Sequence, residues 1–115
     1  MDVKAKIPHF PLERVKSMVE VGQFVIQQGR ARVFLGGTFQ EARTAMKEVI
    51  ADVSVRNFSH SVQLTWDLAD IYGVHFRGGG WYLKLTVDEE TPEVAIISFH
   101  PLEAPLRTNG GEVKP

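Results

Sequence analysis

Two runs, Trp81-Tyr-Leu-Lys-Leu-Thr-Val87 and Val94-Ala-Ile-Ile-Ser-Phe-His100, constrain this chain more than any other feature. Only Asp88-Glu-Glu-Thr-Pro-Glu93 separates them, and a connection that short favours antiparallel neighbours. Strand residues alternate faces, so Leu83, Leu85 and Val87 point one way and Tyr82, Lys84 and Thr86 the other. One face is core. The other holds a tyrosine and a lysine, with His100 closing the neighbouring strand. Such a set can bind a phosphate and move protons.

The remaining segments build a layer around this pair. Leu12, Val15, Met18 and Val19 recur at the spacing of one helical face, with Pro11 near the first turn and Gly22 past the end. Gln23-Phe-Val-Ile-Gln27 reads as a short strand, and Arg32-Val-Phe-Leu35 as another strand or an extended loop. Thr38 followed by Glu41 is a capping box, and it opens a helix striped by Phe39, Ala42, Met46, Val49 and Ile50 that ends near Asp52. Further strands are expected at Phe58–Leu64 and Ile71–Phe76, with Arg77-Gly-Gly-Gly80 turning into the strand at Trp81. The tail from Ala104 to Pro115 lacks periodicity and is expected to be an exposed extension. The predicted fold class is α+β: two N-terminal helices packed on one face of a twisted antiparallel β-sheet. Residues 1–103 form a single domain in this reading, and 104–115 a C-terminal extension.

Composition narrows the chemistry. At 115 residues the chain can bury a core without metal or disulfide staples, and it has no cysteine for a disulfide or thiolate site. The N-terminal residues lack an apolar signal core, and the longest apolar stretch, around Val94–Ile97, is too short for a bilayer. A cytoplasmic location and no membrane partner are expected. Residues 1–60 carry nine Lys/Arg against six Asp/Glu, whereas residues 61–115 carry four against eight. A nucleic-acid partner therefore has to be held by a local patch rather than by global charge.

His9, His60, His75 and His100 are scattered, with no pair at helical ligand spacing, so neither a metal nor a cofactor is expected. Gly78-Gly-Gly80 lacks the Gly-Lys-Ser/Thr ending of a phosphate loop and is a hairpin turn. His60 shares parity with Phe58, Val62 and Leu64, which makes it a satisfied histidine at the core edge on plain alternation. Tyr72 shares parity with Val74 and Phe76 and is expected to pack. Tyr82 and Lys84 can equally be a solvated amphipathic edge. Taken together, these side chains suit RNA cleavage by the adjacent 2′-hydroxyl. That reaction needs a base, an acid and cations or donors around phosphorus, and no metal, cofactor or covalent nucleophile. His60 and His100 can move protons near neutrality, Tyr82 can orient the phosphate or serve as an acid, and Lys84, Arg56 or Arg77 can balance its charge.

Pro8-His9, Leu12-Glu-Arg-Val-Lys16, Val21-Gly-Gln23, Met46-Lys-Glu-Val-Ile50, Asn57-Phe58, Gly80-Trp-Tyr-Leu-Lys-Leu-Thr-Val87 and Ile97-Ser-Phe99 form an ordered series. The series resembles the MqsR family of toxin–antitoxin ribonucleases over most of residues 8–100. The resemblance implies a RelE-like fold whose open sheet face holds an RNA site. It also implies a metal-independent endoribonuclease, or mRNA interferase, that cuts messenger RNA, arrests growth and is neutralised by a cognate antitoxin protein. Tyr82 falls on the family's active-site tyrosine. His60 and His100 stand where the family carries functional lysines, and a family glutamine falls near Tyr72. Lysine to histidine exchanges a permanent charge for a group that titrates near neutrality. The segment Arg30–Gly37 replaces a family helix with something more extended.

The reading is thus a toxin endoribonuclease with His60, Tyr82 and His100 catalytic, and Lys84, Arg56, Arg77 and Tyr72 binding RNA. Its expected partners are an mRNA substrate and a cognate antitoxin; a homodimer stays open. The rivals are a weak or inactive RelE-like module acting through protein binding or transcriptional autoregulation, and a toxin active only on the ribosome.

Overall fold

A computed structural model describes residues 5–27 and 35–115. Helix α1 (Leu12–Glu20) leads to strand β1 (Phe24–Ile26), helix α2 (Phe39–Asp52) and a 3₁₀ turn (Val55–Asn57). Strands β2 (Phe58–Gln63), β3 (Leu68–Phe76), β4 (Gly79–Asp88) and β5 (Glu93–Pro101) follow, then a short pair, β6 (Leu106–Thr108) and β7 (Gly111–Val113). The main sheet has the order β1-β5-β4-β3-β2. The fold is α+β, as the helix and strand patterns predict.

Local chemistry explains the helices. In α2 the Thr38 hydroxyl accepts from the Glu41 amide at 3.1 Å, and Glu41 Oε1 accepts from the Thr38 amide at 3.3 Å. This reciprocal cap satisfies amides that a helix start leaves without partners. Val15, Met18 and Val19 of α1 and Ala42, Met46, Val49 and Ile50 of α2 are buried against the sheet. There they meet Phe24, Phe58, Tyr72, Val74, Leu83, Leu85, Val87, Val94, Ile96 and Phe99 in one cluster. Two cations tie the layers together at backbone oxygens. Lys16 donates to the Val53 carbonyl at 2.7 Å, and Arg43 donates to those of Phe24 and Gly22 at 2.7 and 3.0 Å.

Two expectations are revised by the strands. β1 pairs parallel with β5, so the sheet is mixed rather than wholly antiparallel. Sixty-odd residues separate these partners, ample length for a parallel connection that no short turn announces. Most residues of the tail are exposed as expected, but it is not an unstructured extension: β6 and β7 pair through an Asn109–Gly110 turn, and Thr108 and Val113 are buried. Of the expectations for Arg30–Gly37, and for a strand or extended loop at Arg32–Leu35, the part over residues 30–34 lies outside the described residues.

The C-terminal pair lies on the sheet face that the helices leave uncovered. A Cβ on Gly73 would stand 3.1 Å from Thr108 Cγ2 and 3.2 Å from both Leu106 Cδ2 and Val113 Cγ2. At Gly80 a Cβ would overlap the Lys114 carbonyl. Both glycines are thus seats for the tail. Asn109 fixes its tip: the Asn109 amide donates to the Phe58 carbonyl at 2.9 Å, and its side-chain amide donates to the Lys6 and Val55 carbonyls.

Candidate functional site

Register determines which side chains share the helix-free face. Tyr82 opposes His100 on one side and Gly73 on the other; Lys84 opposes Ser98 and Ile71. Ile71 in turn opposes His60. Antiparallel partners point to the same side, so Tyr82, Lys84, His60, Ser98 and His100 share this face. Plain alternation puts both histidines elsewhere: His60 has the parity of Phe58, and His100 that of Val94 and Ile96, all in the core.

Two β-bulges make the difference. Phe58 pairs with Tyr72 but His60 pairs with Ile71, so Ser59 is an extra residue in β2. Leu85 pairs with Ile96 but Lys84 pairs with Ser98, so Ile97 is an extra residue in β5. Each extra residue reverses the alternation beyond it. His60 is consequently exposed rather than a core-edge histidine, and His100 stands beside Tyr82.

The Tyr82 and His100 rings stack at 5.0 Å between centroids, with 12° between planes. His100 Nδ1 lies 2.8 Å from the Pro101 carbonyl. A carbonyl only accepts, so Nδ1 carries the proton and a neutral ring has its lone pair at Nε2. A phenol is protonated at neutral pH, so Tyr82 is a hydrogen-bond donor there, and burial pushes its pKa further above the ordinary range. His60 is two strands from Tyr82, on the order of 10 Å between backbones. Its Nδ1 is 2.9 Å from the Ser59 hydroxyl.

Arrangement on this face brings Tyr82, His100 and Lys84 together, with His60 at its far side. It can offer a flat ring pair for a base or ribose, an ammonium for a phosphate, and two imidazoles that exchange protons. Three residues expected to bind RNA stand elsewhere. Tyr72 is fully buried on the helix side, edge-on to Phe58 at 5.5 Å, so it cannot reach a ligand on the Tyr82 face. Among the described residues its hydroxyl has no hydrogen-bond partner, and burial, with a smaller contribution from the Asp70 charge, pushes its pKa far up. Arg77 donates to the Leu35 carbonyl at 3.1 Å and lies over the Phe76 ring, also away from Tyr82. Arg56 sits in the 3₁₀ turn, where its carbonyl accepts from the Gly110 amide of the tail.

Two contributors escape a reading by periodicity. Ser59 matters only because of the bulge. The C-terminal hairpin borders the site over Gly73, and its one local signal is the dipeptide Asn109-Gly110, a common hairpin turn.

Residues 7–101 match the family model described as "Motility quorum-sensing regulator, toxin of MqsA". No curated protein matches the chain. The family match stops at β5, so β6 and β7 lie beyond it.

Proposed function

Because the chain belongs to the motility quorum-sensing regulator family, the toxins of MqsA, we propose that it acts as a metal-independent endoribonuclease on messenger RNA. In this reading a cognate antitoxin neutralises it in the cytoplasm. The observation that carries the reading is the Tyr82–His100 ring stack on the helix-free face, with His60 turned onto that same face by its bulge.

The chemistry follows from the residue types. A ribose 2′-hydroxyl attacks the adjacent phosphorus, passing its proton to one imidazole; the 5′-oxygen leaves with a proton from the other. The bond from phosphorus to the 5′-oxygen breaks as that to the 2′-oxygen forms, leaving a 2′,3′-cyclic phosphate and a 5′-hydroxyl. Lys84 offsets the extra negative charge on the phosphorane, and the Tyr82 phenol donates to a non-bridging oxygen. His100 is the nearer proton carrier because it touches Tyr82. His60 approaches from the β2 side of the linkage.

The test is purified full-length protein with a mixed-sequence RNA in chelator, followed by end-group analysis. Cyclic phosphate or its hydrolysis product at the new 3′ ends is expected. His100→Ala should slow cleavage by roughly 100-fold or more, the usual worth of one positioned acid or base. Tyr82→Phe should cost less, because it removes a donor and keeps the stack. Intact RNA both alone and with ribosomes would sink the ribonuclease reading, and growth arrest surviving both substitutions would favour action through protein binding.

A further inference from the structure

The Ser59 hydroxyl lies 2.6 Å from the Arg107 carbonyl of β6 and 2.9 Å from His60 Nδ1. A hydroxyl has one proton, and the carbonyl can only accept, so that proton points at Arg107. The Ser59 oxygen is then left to accept, and His60 Nδ1 has to donate to it. Structure orders one side of this arrangement: Ser59 itself is buried, and β6, which supplies the Arg107 carbonyl, is seated over Gly73, while the His60 ring is exposed. The hydrogen-bond chain therefore runs from the tail's backbone through the bulge residue to the imidazole.

We propose that Ser59, anchored by the C-terminal hairpin, is a positioning residue that holds neutral His60 in its Nδ1–H tautomer and so presents Nε2 as the basic atom on the helix-free face. The consequence for catalysis rests on the ribonuclease reading above. Which ring nitrogen carries the proton is set by the bond the other one makes. His100 reaches the same tautomer through the Pro101 carbonyl. Two imidazoles on one face would then both meet substrate through Nε2, one fixed by its own strand and the other by a segment outside the family match. The hairpin becomes part of the site without placing a side chain on substrate.

Nitrogen-15 NMR of histidine-labelled full-length protein, recorded at alkaline pH, reads the tautomer directly. His60 is assigned by comparison with His60→Gln. A pyrrole-type Nδ1 and a pyridine-type Nε2 are expected in the wild type. In Ser59→Ala the pattern should move toward the Nε2–H form, and Ser59→Thr, which keeps the hydroxyl, should restore it. On RNA, Ser59→Ala should lower kcat by roughly tenfold with little change in KM, because it mis-sets one proton-transfer group without removing it. A wild-type Nε2–H pattern, or one that Ser59→Ala leaves unchanged, overturns the proposal. If wild type fails to cut RNA both alone and with ribosomes, the ribonuclease reading falls, yet the spectra still decide whether Ser59 sets the ring.

Discussion

The two faces of one sheet make opposite use of the same strands. On the helix side, Phe76, Trp81 and Phe99 pack ring against ring at 4.7–5.5 Å, and Leu83, Leu85, Val87, Val94 and Ile96 close the layer beneath α1 and α2. Polar atoms there are few, and Asp70 shows how one is accommodated. On the other side the same strands carry Tyr82, Lys84, His60 and His100, none of them buried. Glycine replaces bulk where the tail must sit. A packed face gains stability from each apolar side chain, whereas a working face has to leave polar groups within reach of a ligand. Pleating separates the two sets, and the bulges at Ser59 and Ile97 are where residues cross from one to the other.

The sharpest break in this contrast is a substitution on the packed side. Asp70 is fully buried and accepts from the His9 amide at 3.0 Å, the Phe10 amide at 2.9 Å and the Ser61 hydroxyl at 2.6 Å. It thereby pins the chain before α1 to the sheet. Asp70→Ala strands the buried Phe10 amide, at about 1–3 kcal/mol, and removes the hydrogen bonds of the part-buried His9 amide and Ser61 hydroxyl, which water partly replaces, so about 3 kcal/mol of stability should disappear. The midpoint of urea unfolding should drop accordingly, while RNA cleavage per folded molecule stays near that of the wild type. Equal stability in the variant would mean that Asp70 is not a tether.

On the helix-free side, Gly80→Ala tests whether the tail is seated or merely adjacent. The new methyl would overlap the Lys114 carbonyl and stand 2.9 Å from Val113 Cγ1. Overpacking of this kind typically costs about 1–3 kcal/mol, and about 2 kcal/mol is expected here. Gly79→Ala is the control, since its nearest neighbour would be the Pro115 carbonyl carbon at 3.8 Å, an ordinary contact. Limited proteolysis should release the tail of Gly80→Ala and spare that of Gly79→Ala. Equal protection in both would detach the hairpin from the working face.

What was legible in the sequence depended on how local its cause was. The capping box of α2 spans four residues, and the Leu83–Val87 alternation spans five; both are visible without knowing any partner. Tyr82 could be placed from parity alone. His60 and His100 could not, because each bulge is a property of two strands, and alternation within one strand assigns both rings to the core. Their proton-transfer chemistry suggests them for the site, and resemblance to a family then places both at functional positions. Neither the parallel β1–β5 pairing nor the tail had a periodic signature, since β1, β6 and β7 are each three residues long and the partner of β1 lies far away in the chain. Arg77 looked like a phosphate ligand because a sequence shows its charge but not which side of a turn it leaves.

Tyr72→Phe sharpens the contrast from the packed side with the smallest effect. The Tyr72 hydroxyl is buried without a partner among the described residues, unlike the Tyr82 phenol, which a ligand can reach. Deleting an unsatisfied hydroxyl while keeping the ring should be neutral or stabilise by about 1 kcal/mol. The pH dependence carries more information. Burial raises the folded-state pKa of Tyr72 well above its ordinary value near 10, so the folded chain keeps a proton that the unfolded chain gives up. Above about pH 10 the unfolded state therefore binds fewer protons, and stability falls as pH rises. Below that, both states are protonated and the contribution is flat. Unfolding measured in urea between pH 8 and 11, on wild type and Tyr72→Phe, should show a steeper alkaline loss in the wild type. Tyr82→Phe should change that slope less, because its half-exposed phenol is the weaker case of the same burial effect. Parallel slopes in wild type and Tyr72→Phe would mean that water reaches the Tyr72 hydroxyl and that the packed face is less closed than its side chains indicate.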